Sequence, residues 1–121
     1  MATKKTLVLG ASENPARYSF EAVTRLRKYG HEVVAVGRKA AVVAGVQIET
    51  EPPIVQNIDT VTLYLNPTAQ KAYYDFILSL HPKRIIFNPG TENDELEELA
   101  QQNGIATLEA CTLVMLNTGQ Y

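Results

Sequence analysis

The chain has one cysteine, two histidines, no long apolar run and no cluster of basic residues, and each scarcity removes a class of protein. A lone Cys111 cannot close an intrachain disulfide and is too little for a structural zinc site. With only His31 and His81 beside it, no metal-ligand cluster is visible. The apolar run after Met1-Ala2-Thr3-Lys4-Lys5 is far shorter than the roughly 20 residues a membrane span needs, and it lacks a signal-peptide core. The expectation is a cytoplasmic protein with no membrane partner. Its 11 basic and 13 acidic residues are scattered, for a net charge of -2, so no basic stripe offers a nucleic acid a footprint. Nucleic acid is therefore excluded as a partner. Repeats, low-complexity linkers and a second composition regime are also missing.

What is present is an ordinary globular composition, 45% apolar and 20% charged over 121 residues, which predicts one domain over residues 1–121. Short β-rich runs at 6–9, 33–36, 60–65, 84–87 and 105–108 read as strands buried on both faces. Helical patterns lie between them. The first begins at the Ser19 cap, turns Phe20, Val23 and Leu26 inward and stops at Gly30. The second begins at Asn66-Pro67, buries Ala69, Tyr73, Phe76 and Leu80, and ends at His81-Pro82. The third runs from the Asn93 cap through Leu96, Leu99 and Ala100 to Gly104. This alternation predicts an α/β fold, a doubly wound sheet of about five parallel strands in the order 3-2-1-4-5 with helices on both faces. The stretch from Arg38 to Asp59, with Gly45 and Pro52-Pro53, reads as a crossover with at most a short extra strand at 46–48. The apolar Leu113-Val114-Met115-Leu116 packs as a last helical turn or meets another subunit in a homo-oligomer.

In such sheets ligands bind outside the carboxyl ends of the strands, where the strand order reverses, here expected between the first and fourth strands. The loop after the first strand suits a phosphate. Gly10 and Ala11 admit close backbone approach, Ser12 and Asn14 offer hydrogen bonds, and Arg17 offers a charge-assisted one. The helix that starts at Ser19 adds its positive end. Only Gly10 stands where the dinucleotide pattern G-x-G-x-x-G asks for three glycines, which weakens a reading as an NAD site. After the second strand comes Gly37-Arg38-Lys39, where a binder of a free ribose diol carries an acid. Basic residues there favour a phosphorylated ribose, which leaves coenzyme A (CoA), with its 3′-phosphate, and NADP, with its 2′-phosphate. Asn66-Pro67 and Asn88-Pro89-Gly90 fall on the same edge, although each alone is also ordinary turn chemistry. Cys111 follows the fifth strand and reads as a nucleophile or as a small buried hydrophobe. His31 and His81 precede strands, at the opposite edge, and cannot activate it.

With these residues in view, the chain resembles the small stand-alone CoA-binding proteins, whose Rossmann-like domain is similar to the CoA-binding part of the succinyl-CoA synthetase α subunit. The resemblance is carried by Val8-Leu9-Gly10-Ala11-Ser12 with Asn14-Pro15 and Arg17-Tyr18-Ser19, and by Lys28-Tyr29-Gly30-His31-Glu32-Val33 leading to Arg38. Asn88-Pro89-Gly90 and the run from Ala100 through Gly104 to Cys111 complete it. It implies that Gly10, Ala11, Ser12, Arg17 and Ser19 line the pyrophosphate and that Arg38 meets the adenosine end. It further implies that Asn66 and Pro67 wall the adenine, and that Asn88, Gly90 and Cys111 follow the pantetheine arm. Two positions depart from the family pattern: Val36-Gly37-Arg38 stands for Val-Asn-Pro-Lys/Arg, and Met115 stands for a glutamate. The implied function is a module that binds CoA or an acyl-CoA and does no chemistry. The alternatives are a small NADP-dependent oxidoreductase and a Cys111-dependent CoA thiol or acyl transferase. An acid-CoA ligase is not implied, since the chain lacks the phosphorylated histidine and the ATP-handling domain of that reaction.

Overall fold

The computed structural model describes residues 3–121. The apolar β-rich runs become parallel strands: β1 (Thr6–Ala11), β2 (Val33–Gly37), β5 (Thr60–Leu63), β6 (Arg84–Phe87) and β7 (Ala106–Glu109). Between β2 and β5 lie two strands more, β3 (Ala41–Val43) and β4 (Val46–Glu49). The seven strands form one sheet in the order β3-β4-β2-β1-β5-β6-β7, antiparallel only between β3 and β4. Successive residues of β1 point to opposite faces. Leu7 and Leu9 meet Ile77, Leu96 and Ala100 on one side, and Val8 meets Val23, Leu26 and Leu116 on the other. Helices therefore cover both faces, as expected of a Rossmann-like α/β fold.

The strand order departs from the expectation of 3-2-1-4-5 over five strands. The third place beside β2 goes to β4, whose Val46 and Ile48 are buried while Gln47 and Glu49 face out. It is held there as half of a hairpin with β3 through a two-residue turn, Ala44-Gly45, with φ of 50° and 79°. The Thr60 strand, expected in that third place, instead pairs with β1 in the register Thr6↔Thr60 to Leu9↔Leu63. The strand order thus reverses between β1 and β5, not between β1 and β6.

Helix α1 (Tyr18–Lys28) starts one residue before Ser19, with Arg17 at the cap position and no side-chain capping bond. The single helix expected from Asn66 to Leu80 is broken: α2 (Pro67–Gln70), a 3₁₀ turn over Lys71–Tyr73, then α3 (Tyr74–Ser79). Its fully buried residues are Gln70 and Ile77, while Ala69, Tyr73, Phe76 and Leu80 are only partly covered. Helix α4 (Asp94–Gln102) is capped by the Asn93 side chain, which accepts from the Leu96 N–H, and its acidic first turn suits the helix dipole. The apolar tail forms α5 (Thr112–Asn117), whose Met115 and Leu116 are buried against the chain's own core.

Candidate functional site

An open cleft of about 660 Å³ lies at the carboxyl edge of the central strands. Its first wall is the loop between β1 and α1, including Gly10, Ala11, Ser12, Asn14, Arg17 and Tyr18. Local turns shape this loop: Ser12 Oγ accepts from the Asn14 N–H at 3.0 Å, and Asn14 Oδ1 accepts from the Ala16 N–H at 3.0 Å. The loop hands the chain to the uncapped start of α1, where Ser19 is buried and Tyr18 is 76% exposed. Of the N–H groups at this positive end, those of Arg17 and Phe20 donate to the Asn14 and Arg17 carbonyls at 3.0 and 3.1 Å, which leaves those of Tyr18 and Ser19 without a backbone partner among the described residues.

The glycines here serve the protein's own backbone. A Cβ on Gly37 would lie 2.2 Å from the Ala11 carbonyl oxygen, and one on Gly10 would lie 2.9 Å from the Tyr64 carbonyl carbon. Gly10 also has φ of 97°, in the left-handed region that glycine alone enters freely. Their smallness lets β1, β2 and β5 close up at the switch point, so the space that a side chain would need is already filled.

From the loop after β2 come Arg38 and Lys39, both exposed on the cleft rim. Lys39 Nζ lies 2.9 Å from Glu13 Oε1, and that hydrogen-bonded carboxylate raises the lysine pKa. Arg17 and Arg38 have no ion-pair partner among the described residues. Three cations and one carboxylate, Glu13, therefore line the cleft.

The far wall is built from Leu65, Asn66, Ala69 and Tyr73, with Pro89, Gly90 and Thr91 beside them. Asn66 caps α2, its Oδ1 accepting from the Ala69 N–H at 2.9 Å. Gln70 joins the two halves of this wall. Its buried amide donates at 2.8 Å to the carbonyls of both Leu65 and Thr91, and its Oε1 accepts from Asn93 Nδ2. Beneath the cleft, Tyr64 has a buried hydroxyl with no hydrogen-bond partner, and burial pushes its pKa above the usual tyrosine range. The nearby hydroxyls of Thr62 and Thr112 bond one another at 2.8 Å instead.

Of the residues singled out in the sequence, Gly10, Ala11, Ser12, Asn14, Arg17, Tyr18 and Ser19 come together with Gly37 and Arg38 around this cleft. Asn66, Pro89 and Gly90 join them from the far wall. Pro67, Asn88 and Cys111 are not among the lining residues. Pro67 opens α2, and Cys111 sits half-buried at the cap position of α5. Asn88 is buried with its side chain engaged: Nδ2 donates to Thr62 Oγ1 and to the Leu63 carbonyl, and Oδ1 accepts from the Thr112 N–H. Sequence reasoning passed over Glu13, Tyr64, Thr91 and the wall-joining Gln70. The one available signal for Gln70 was its place a helical i, i+7 step before Ile77, a polar residue on the inward stripe. His31 and His81 stand before β2 and β6, at the amino edge away from the cleft. Among the described residues no three His, Cys, Asp or Glu groups gather as metal ligands, and no helix is long and apolar enough to cross a membrane.

The fold and cleft define a Rossmann-like α/β protein with a basic groove at the carboxyl edge of its sheet. The chain belongs to the CoA binding domain family, whose model matches residues 4–117. Membership makes it, in general terms, a ligand-binding module. No curated protein matches it. Among solved structures it is similar to an uncharacterized protein with 53% identity and a TM-score of 0.96, each chain covered completely. It is also similar in fold to a hypothetical protein from Pyrococcus horikoshii OT3, at 24% identity and a TM-score of 0.86, covering 96% of this chain and 83% of that one. A third similar fold is cell-free ID.343 from Thermus thermophilus, at 20% identity and a TM-score of 0.85, covering 98% of this chain and 91% of that one.

Proposed function

We propose that the cleft binds CoA or an acyl-CoA and that the protein acts as a binding module with no chemistry of its own. The observation that carries this reading is the convergence of Arg17, Arg38 and Lys39 with the uncapped start of α1 on one groove, in a chain of the CoA binding domain family. In this reading the pyrophosphate takes the N–H groups of α1 with Ser12, Arg17 and Ser19. Arg38 takes the 3′-phosphate, Asn66 and Pro67 flank the adenine, and the pantetheine arm runs by Gly90 towards Asn88 and Cys111. The two histidines lie at the amino edge, so neither serves as a base for Cys111, which favours binding over transfer.

Titration calorimetry with CoA, dephospho-CoA, NADP and NAD tests the reading. CoA is expected to bind, and Arg38→Ala to cost roughly 1.5 kcal/mol of CoA affinity, the low end for a hydrogen bond to a charged group because the site is exposed. Dephospho-CoA is expected to bind the wild type more weakly and to lose little further from the substitution. Heat from NADP with silence from CoA would overturn the CoA reading and favour the NADP-binding alternative. Equal losses for CoA and dephospho-CoA would mean that Arg38 does not read the 3′-phosphate.

A further inference from the structure

We infer that Glu13 is a built-in counterion for Lys39 that a ribose phosphomonoester must displace, so that this carboxylate limits affinity for phosphorylated nucleotides. The inference rests on the proposed reading of the cleft as a nucleotide site. Its observations are geometric. Glu13 and Lys39 come from two different loops, after β1 and after β2, and their 2.9 Å contact spans the rim between them. Arg17 and Arg38 face the same groove with no carboxylate partner among the described residues, so Lys39 is the cation whose charge is already answered. Both partners of the pair are well exposed, at 80% and 48% of the side chain.

An exposed pair of this kind is weak. It changes an equilibrium constant by about fivefold at most, which is small enough for a ligand to break and large enough to measure. A phosphomonoester carries close to two negative charges at neutral pH and can replace Glu13 as the partner of Lys39. A ribose diol carries none and cannot. The recognised chemistry is therefore a phosphate ester on the ribose, which CoA and NADP both carry.

The experiment measures dissociation constants for CoA, dephospho-CoA, NADP and NAD with the full chain as wild type, Glu13→Gln, Lys39→Gln and the double variant. Glu13→Gln is expected to tighten CoA by about two- to fivefold, with dephospho-CoA unchanged within error. The gain should vanish in the Lys39→Gln background and should shrink as salt is raised, because the contact is exposed. The NADP and NAD pair separates the two sources of the phosphate: the gain belongs to whichever of CoA and NADP the protein binds. Equal tightening of CoA and dephospho-CoA would overturn the inference, because it would report a general charge effect. Weakened binding of dephospho-CoA or NAD in Glu13→Gln would also overturn it, because Glu13 would then be accepting from a ribose hydroxyl. An unchanged CoA constant refutes it while leaving the proposed function standing, and failure of the wild type to bind any of the four refutes both.

Discussion

Replacing Asn88 should be among the most damaging single changes in this protein, and the size of the loss follows from its hydrogen bonds. Its side chain donates to Thr62 Oγ1 at 2.7 Å and to the Leu63 carbonyl at 2.9 Å, and accepts from the Thr112 N–H at 2.9 Å. It is 2% exposed, so water cannot replace these bonds without entering the fold. At about 1 kcal/mol for each bond, with a further penalty for the stranded Thr112 N–H, Asn88→Ala should cost roughly 3–5 kcal/mol. That is a large part of the roughly 5–15 kcal/mol a domain of this kind commands. Urea unfolding followed by circular dichroism measures it. Asn88→Asp keeps the shape and isolates the polarity: Oδ1 still accepts from Thr112, but a carboxylate oxygen now faces the Leu63 carbonyl. Burial raises the folded pKa of that new carboxyl above its unfolded value, so the folded state binds the proton more tightly. The deficit against wild type should therefore be largest at about pH 7 and should shrink towards about pH 5. A loss below about 1 kcal/mol for Asn88→Ala, or an Asn88→Asp deficit independent of pH, would refute the reasoning.

Two further outcomes are expected. His31 is buried, and burial first, then the nearby charges of Lys4 and Arg84, hold its pKa below the ordinary 6.5, while Nδ1 accepts from the Lys4 N–H. The unfolded chain thus takes the proton first as pH falls, so stability should drop from about pH 6.5 downward and level off below the folded value. Melting temperatures across that range, compared with His31→Gln, should show the drop in the wild type alone. Gly37→Ala should lower stability by about 3 kcal/mol, the upper end of overpacking losses, because its Cβ meets a backbone carbonyl and not a yielding side chain. A melt matching wild type would contradict it.

The parallel strands were legible because each is a short apolar run, and most helix ends because Gly30, Asn66 and Asn93 are terminators or caps of known chemistry. The β3–β4 hairpin was legible only in part: the short extra strand expected at 46–48 is β4, but β3 and the pairing of β4 with β2 were not foreseen. Its turn is Ala44-Gly45, and alanine at a positive φ gives none of the signal that asparagine or aspartate gives there. Missing it moved the Thr60 strand to the wrong side of β2 and the switch point with it, although the loops around β1 still fell at the cleft. The break in the second helix has no marker, because Lys71-Ala72-Tyr73 contains neither glycine nor proline. The Glu13–Lys39 and Gln70–Thr91 contacts span 26 and 21 residues of chain, and local pattern does not reach that far. Ser19 reads as a cap because serine favours that position, but the structure puts the cap two residues earlier, at Arg17, and buries Ser19 inside α1.

The tight closure of β1, β2 and β5 over Gly10 and Gly37 bears on how natural or selected variants of this protein should be interpreted. In a survey of loss-of-function alleles both glycines would score as indispensable, and their position beside the groove would suggest that they recognise the ligand. Yet the space they leave empty is taken up by Ala11 and Tyr64, so such alleles report on how much folded protein accumulates. Changes at the exposed, unpaired Arg17 and Arg38 are of the opposite kind, leaving abundance intact while lowering the positive charge of the groove. Dividing each allele's CoA binding by its protein level would separate the two groups, and on the proposed reading only the second would map the site.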